Sequence, residues 1–223
     1  RLASKKVLVH DMKCIETLAR VNVLCVDKTG TITENTMEVN GEIPMDGYDS
    51  QSMAPLKQII SDFASAMSSD NITMKAMKDY FNKPSGRKAV SVSPFSSQFK
   101  YSGAAFEDGS YVLGAPEFVL REDYDNYREQ IEQYSSEGYR VLVFGIYDGV
   151  IDGKALTGKV TPLGLVFLSN PIRKEAPETF KYFENQGVEI KVISGDNPVT
   201  VSQVALQAGI ANADNYKDAS TLT

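Results

Sequence analysis

Cysteine is scarce in this chain: its 223 residues include two, Cys14 and Cys25. Two are too few for a disulfide framework, and a chain of this length buries a core without one. Cys25 lies inside the apolar run Val21 to Val26, where a small hydrophobe fits, and both thiols are read as reduced and structural. The lone His10 has no second imidazole for a metal site and is read as a surface residue without a role. No stretch approaches the roughly 20 apolar residues of a membrane-crossing helix, and no basic, apolar leader opens the chain, so it reads as soluble and intracellular in style. Basic residues are in deficit, 23 Lys and Arg against 29 Asp and Glu for a formal net charge of -6. That deficit argues against nucleic acid or an anionic membrane as partner, since counterion release needs clustered Lys and Arg. A Walker A sequence is also absent, so any ATP site is not a P-loop.

What is present is a change of grammar along the chain. Val21 to Val26 (VNVLCV) is a short continuous apolar run ending in Asp27, the pattern of a strand buried on both faces of a parallel sheet. Near the other end, Lys174 to Gln186 has helical spacing and Gly187 is placed to stop it; Val188 to Ile193 reads as a strand and Val199 to Ala208 as a helix. Helix, strand, helix with short links is the signature of a doubly wound α/β sheet. The middle differs. Helical patterns at Leu56 to Met67 and Ile72 to Phe81 precede strands at Lys88 to Val92, Lys100 to Phe106 and Tyr111 to Leu113, the last two joined by a hairpin turn at Glu107 to Ser110. A helix over Tyr124 to Ser136 and strands at Arg140 to Tyr147 and Leu163 to Leu168 follow. The spacing predicts an α/β fold: a doubly wound domain formed by residues 1–35 and 171–223, interrupted by an α+β insert, residues 36–170. The crossings fall at Thr33 to Thr36 and Ser169 to Arg173, where Asn and Pro break the apolar patterns.

Asp27 stands at the carboxyl end of a buried strand, where α/β sheets place their sites. Lys28, Thr29, Gly30 and Thr31 then supply a tight turn rich in phosphate donors, and a carboxylate can act as a covalent nucleophile toward phosphorus. By itself an Asp followed by a turn is most often only a polar strand end. The whole run from Asp27 to Thr33 (DKTGTIT) resembles the phosphorylation signature of the P-type cation-transporting ATPases at every position, and Glu16 to Arg20 resembles the segment leading into it. The resemblance implies a fold of the haloacid dehalogenase superfamily, here an incomplete doubly wound, Rossmann-like phosphorylation domain (residues 1–35 and 171–223) with an inserted α+β nucleotide-binding domain (residues 36–170) built on an antiparallel sheet. It also implies Asp27 as phosphoacceptor and Mg2+ held by a carboxylate oxygen of Asp27 and the backbone carbonyl of Thr29. Hydrolases of that superfamily carry a second Asp where this chain has Thr29. Threonine is no carboxylate base, so the resemblance implies an aspartyl phosphate that persists. Ser194-Gly195-Asp196 follows the second strand, and Asn197-Pro198 after it suits a helix start. Backbone N–H groups and a hydroxyl at such a start make an anion site, and the run resembles the TGD element of the same family with Ser in place of Thr.

The same resemblance places ATP on the insert. Phe95 and Lys100, in Phe95-Ser96-Ser97-Gln98-Phe99-Lys100, match the segment whose aromatic stacks on adenine and whose lysine approaches the nucleotide. Gly114 and Ala115 match the GAPE loop, where glycine permits close approach to the base, while Leu113 stands where many members have lysine. Arg140 resembles the arginine that meets the nucleotide phosphates. Asn170-Pro171-Ile172-Arg173 resembles the DPxR hinge with Asn for the acid, and Arg173 is expected at the nucleotide.

The GDGxND carboxylates of the family have no counterpart before Thr223. The chain is therefore read as a catalytic piece of a longer pump, inactive in turnover alone. Its partners are the rest of the phosphorylation domain, the actuator domain and the transmembrane helices, at the cytoplasmic face of the plasma membrane. Two other readings stay open, a stand-alone phosphatase and a non-catalytic nucleotide-binding regulator. Thr29 speaks against the first. A downstream GDGxND with apolar helices excludes the second.

Overall fold

The computed structural model describes residue 11, residues 13–196 and residues 198–218. His10 and the Asn197 cap lie outside the described residues. In chain order the elements are α1 (Lys13–Leu18), β1 (Val23–Asp27), β2 (Glu38–Pro44), α2 (Leu56–Ala66), α3 (Ile72–Tyr80), β3 (Ser91–Ser93), β4 (Tyr101–Phe106) and β5 (Gly109–Gly114). They continue with α4 (Pro116–Leu120), α5 (Tyr124–Ser136), β6 (Arg140–Tyr147), β7 (Val160–Ser169), α6 (Ala176–Asn185), β8 (Glu189–Ile193) and α7 (Pro198–Gln207). The chain divides into two compact units, Arg1–Thr33 with Ile172–Thr223, and Glu34–Pro171.

The Glu34–Pro171 unit is built on a six-stranded antiparallel sheet in the order β2-β7-β6-β5-β4-β3. Side chains alternate along each strand, so the sheet has two apolar faces. Leu113, Phe144, Val166 and Leu168 pack with α2 and α3, while Val112, Val143, Leu165 and Phe167 pack with α4 and α5. Helix α2 suits its place because Leu56, Ile59, Ile60, Phe63 and Ala64 recur at helical spacing and are all buried. Phe63 meets Phe144 edge to face at 5.3 Å, and burying one such side chain contributes about 1.5–3 kcal/mol. Helix α3 begins where the Asn71 side chain accepts a hydrogen bond from the Met74 N–H at 2.8 Å.

In the other unit β1 and β8 pair in parallel, from Val23 opposite Glu189 to Asp27 opposite Ile193. Ile32, Phe180, Ile190, Val204, Ala205 and Ile210 form its core, with Val26 and Val192 packed against it. Helix α6 stops at Gly187: the Val188 N–H donates to the Phe183 carbonyl at 3.0 Å and the Gly187 N–H to Glu184 at 2.9 Å.

Burial on both faces of β1 does not hold. Leu24 and Val26 are half-buried, while Val23, Cys25 and Asp27 are exposed. The partner strand alternates likewise, with Ile190 buried and Lys191 exposed. Among the described residues this sheet has two strands, and its apolar packing lies on the Leu24 and Ile190 side. Cys14 and Cys25 are free but exposed, so neither thiol fills a core position.

Candidate functional site

Asp27 is the last residue of β1 and Ile193 the last of β8, directly opposite it. The parallel pairing therefore brings the turn after Asp27 and the Ser194-Gly195-Asp196 run to one end of the sheet. Gly30 turns the chain at φ +80°, a conformation that costs an L side chain and costs glycine little. The turn closes on itself, because the Lys28 carbonyl accepts from the Thr33 N–H at 3.1 Å and from the Thr33 hydroxyl at 3.3 Å. Ile32 and Thr33, both fully buried, anchor its far side. Asp27, Thr29 and Thr31 are exposed.

Lys28 runs inward. Its side chain is 7% exposed and its ammonium pairs with the carboxylate of Asp196, whose side chain is 40% exposed. The Asp196 N–H donates to the Ser194 hydroxyl at 3.2 Å, which tightens the second turn. Arg173 reaches the same turn: its Nε donates to the Thr33 carbonyl at 3.2 Å and its Nη2 to the Gly30 carbonyl at 2.8 Å. Sequence reasoning placed Arg173 at a nucleotide, whereas both of these donors are engaged by the loop backbone. No sequence signal pairs Lys28 with Asp196, since the two lie on different segments and meet only through the β1–β8 register.

The residues expected at the nucleotide belong to the Glu34–Pro171 unit, apart from Arg173. In the sheet, Tyr101 lies opposite Gly114 and Gly114 opposite Val143. The Phe95–Lys100 loop, the Gly114–Ala115 turn and Arg140 therefore sit at one end of the sheet. The loop is held by the Lys100 N–H to Ser96 carbonyl bond at 2.7 Å and the Ser96 N–H to Tyr101 carbonyl bond at 3.0 Å. The Ala115 N–H donates to the Lys100 carbonyl at 2.9 Å, joining loop and turn. A Cβ on Gly114 would lie 2.4 Å from the Lys100 carbonyl oxygen, so glycine is required there by close approach. Phe95 is 50% exposed and borders a cavity of about 220 Å³ lined also by Met67, Asp70, Asn71, Met74 and Ser102. The last five were not singled out from sequence; the cap at Asn71 is their one local signal. Lys100 and Arg140 are exposed, and Leu113 is buried in the core under α2 and α3. A larger cavity, about 570 Å³, runs along β8 past Ile190 and Val192 to Tyr216, and none of the residues expected at the phosphoacceptor or the nucleotide lines it.

Comparison with known proteins then bears on the assignment. The profile of the haloacid dehalogenase-like hydrolases matches residues 21–221. The chain belongs to that family. Among curated relatives it is 38% identical over 211 residues to the calcium-transporting ATPase CtpE of Mycolicibacterium smegmatis, covering 94% of this chain and 26% of that protein. It is 37% identical over 227 residues to the Streptococcus pneumoniae protein named "Probable cation-transporting ATPase exp7", covering 100% of this chain and 28% of the relative. The Dictyostelium discoideum protein named "Probable plasma membrane ATPase" is 29% identical over 230 residues, covering 94% of this chain and 21% of that protein. The likeness to P-type cation-transporting ATPases, carried in the sequence by DKTGTIT, thus extends along essentially the whole chain. The chain spans about a quarter of the length of these bacterial relatives. Among the described residues no helix is long and apolar enough to cross a membrane.

Proposed function

We propose that this chain carries the phosphoacceptor and the ATP-binding parts of an ATP-driven cation pump. Asp27 attacks the γ-phosphorus of ATP; an O–P bond forms on its carboxylate, the bond to the β,γ-bridging oxygen breaks, and ADP leaves with that electron pair. One observation carries this reading: Asp27 and Ser194-Gly195-Asp196 share one end of a parallel strand pair, with the buried Lys28 ammonium ion-paired to Asp196. The ammonium, the Thr31 and Ser194 hydroxyls and the loop N–H groups are donors for the incoming phosphoryl oxygens. Thr29 supplies no carboxylate to activate water, so the aspartyl phosphate lasts long enough to drive transport.

Mg2+ fits the donor set that Asp27 and the Thr29 carbonyl provide, both hard oxygens on exposed residues. When bound, it neutralises charge on the transferring group. Phe95 stacks on adenine, the Gly114–Ala115 backbone admits the base closely, and Lys100 and Arg140 meet the phosphates. The partners are the rest of the phosphorylation domain, the actuator domain and the membrane helices of the same pump, at the cytoplasmic face of the plasma membrane. The name of the mycobacterial relative makes calcium the first cation to test.

The test is acid-stable labelling from γ-labelled ATP in the complete pump. Asp27→Asn abolishes the label and leaves nucleotide binding by this chain intact. Retained label in that variant sinks the assignment.

A further inference from the structure

The resemblance places Arg173 at the nucleotide, and within the chain its hydrogen bonds go to the turn after Asp27. We propose that Arg173 is a positioning residue for the turn that follows Asp27, an inference that rests on Asp27 being the phosphoacceptor.

Three bonds from this one residue reach one turn. Its backbone N–H donates to the Ile32 carbonyl at 3.0 Å, its Nε to the Thr33 carbonyl at 3.2 Å and its Nη2 to the Gly30 carbonyl at 2.8 Å. The neighbouring Ile172 pairs with Thr33 as an antiparallel bridge, which fixes where the Arg173 side chain starts. The planar guanidinium fork is suited to two acceptors at once; a lysine ammonium is a single flexible point charge. The carbonyl it holds at Gly30 matters most. Glycine is the residue with the widest choice of backbone angles, so the peptide following it is the part of the turn with the weakest intrinsic preference. That peptide is planar and trans, so pinning the Gly30 oxygen on the guanidinium directs the Thr31 N–H the opposite way, away from Arg173. The Thr31 N–H and hydroxyl belong to the donor set proposed above for the phosphoryl oxygens. Arg173 thereby fixes the direction of one donor without touching the phosphate.

Arg173 is also exposed enough for a solute to reach, so the two roles are separable only by experiment. NMR of the labelled chain, as wild type, Arg173→Gln and Arg173→Lys, is recorded with a non-hydrolysable ATP analogue, and binding of Mg2+ with beryllium trifluoride, a phosphoryl mimic, is measured on the same variants of the complete pump. In the wild type the Arg173 Nε–H resonance is sharp, slow to exchange and unmoved by the analogue, while signals around Phe95 shift. Arg173→Gln moves or broadens the amides of Gly30 to Thr33 and leaves analogue affinity unchanged. It weakens the mimic about a hundredfold, the scale of an ångström-sized misplacement, and Arg173→Lys restores part of that loss. Loop amides that stay in place in Arg173→Gln, with analogue affinity about tenfold weaker, overturn the proposal and return Arg173 to the nucleotide. A complete wild-type pump that binds the analogue but not the mimic counts against Asp27 as acceptor, and the loop amides still decide whether Arg173 holds the turn.

Discussion

Replacing Asp196 by asparagine leaves the Lys28 ammonium facing a neutral amide in a nearly closed setting. The two side chains are 7% and 40% exposed, so the pair is neither fully buried nor at the surface. Breaking a fully buried pair costs about 3–5 kcal/mol, whereas an exposed pair is worth about 0–1 kcal/mol. Water reaching Asp196 places this pair between those limits, at about 1–3 kcal/mol. The assay is urea unfolding of the chain followed by probes in each unit, because two compact units need not melt together. The loss should appear in the transition of the unit holding β1 and β8 and be absent from the other. Lys28→Met removes the charge that Asp196 answers, so the double variant should lose less than the sum of the singles, with a coupling of about 0.5–3 kcal/mol. Strict additivity would show that the ion pair does not form in solution.

Two further outcomes follow from the Glu34–Pro171 unit. Phe95→Ala should weaken ATP by about 1–3 kcal/mol, the range for base stacking on an aromatic ring, and calorimetry showing no change removes Phe95 from the site. Gly114→Ala forces a methyl group to 2.4 Å from the Lys100 carbonyl oxygen, and should cost about 1–3 kcal/mol in unfolding while also lowering ATP affinity through the displaced Phe95–Lys100 loop. A stable Gly114→Ala chain with native affinity refutes that packing argument.

Periodicity was a good guide where one element buries one face. Helix α5 spans Tyr124–Ser136 and β6 spans Arg140–Tyr147, the limits their patterns indicate, and β8, α6 and α7 fall within a residue or two of theirs. Strand β2 has no such pattern to read. Its register shifts between Val39 and Gly41, it ends in Pro44, and it pairs with β7 alone, the features of an edge strand with a bulge. Helix α4 has five residues, too few to show a period, although Pro116 begins it. The strand expected at Lys88 to Val92 is found shorter and shifted, at Ser91–Ser93. Cys25 was misread for a different reason: an unbroken apolar run says that side chains tolerate burial, and only neighbouring elements decide which face is covered. At the site, residue types and their order were legible in DKTGTIT and SGD. The Lys28–Asp196 pair and the hold of Arg173 on the turn arise from the register of distant segments, which no local pattern encodes.

The two ends of the inserted unit are tied together: the Glu34 N–H donates to the Pro171 carbonyl at 2.8 Å, and Asn170 Nδ2 donates to the Thr36 carbonyl at 2.7 Å. This has a kinetic consequence during synthesis, which proceeds from the amino end. β1 emerges early, yet its partner β8 follows the whole of Glu34–Pro171. The intervening unit has its own sheet and its own apolar faces, and can complete them while β1 is still waiting. Once it has folded, the closed ends replace a long flexible loop by two short linkers, and each halving of an effective loop saves about 0.6 kcal/mol of closure entropy. Folding of the insert thus brings the end of β1 within reach of β8, and the turn after Asp27 meets the Ser194 to Asp196 run only after the insert has closed.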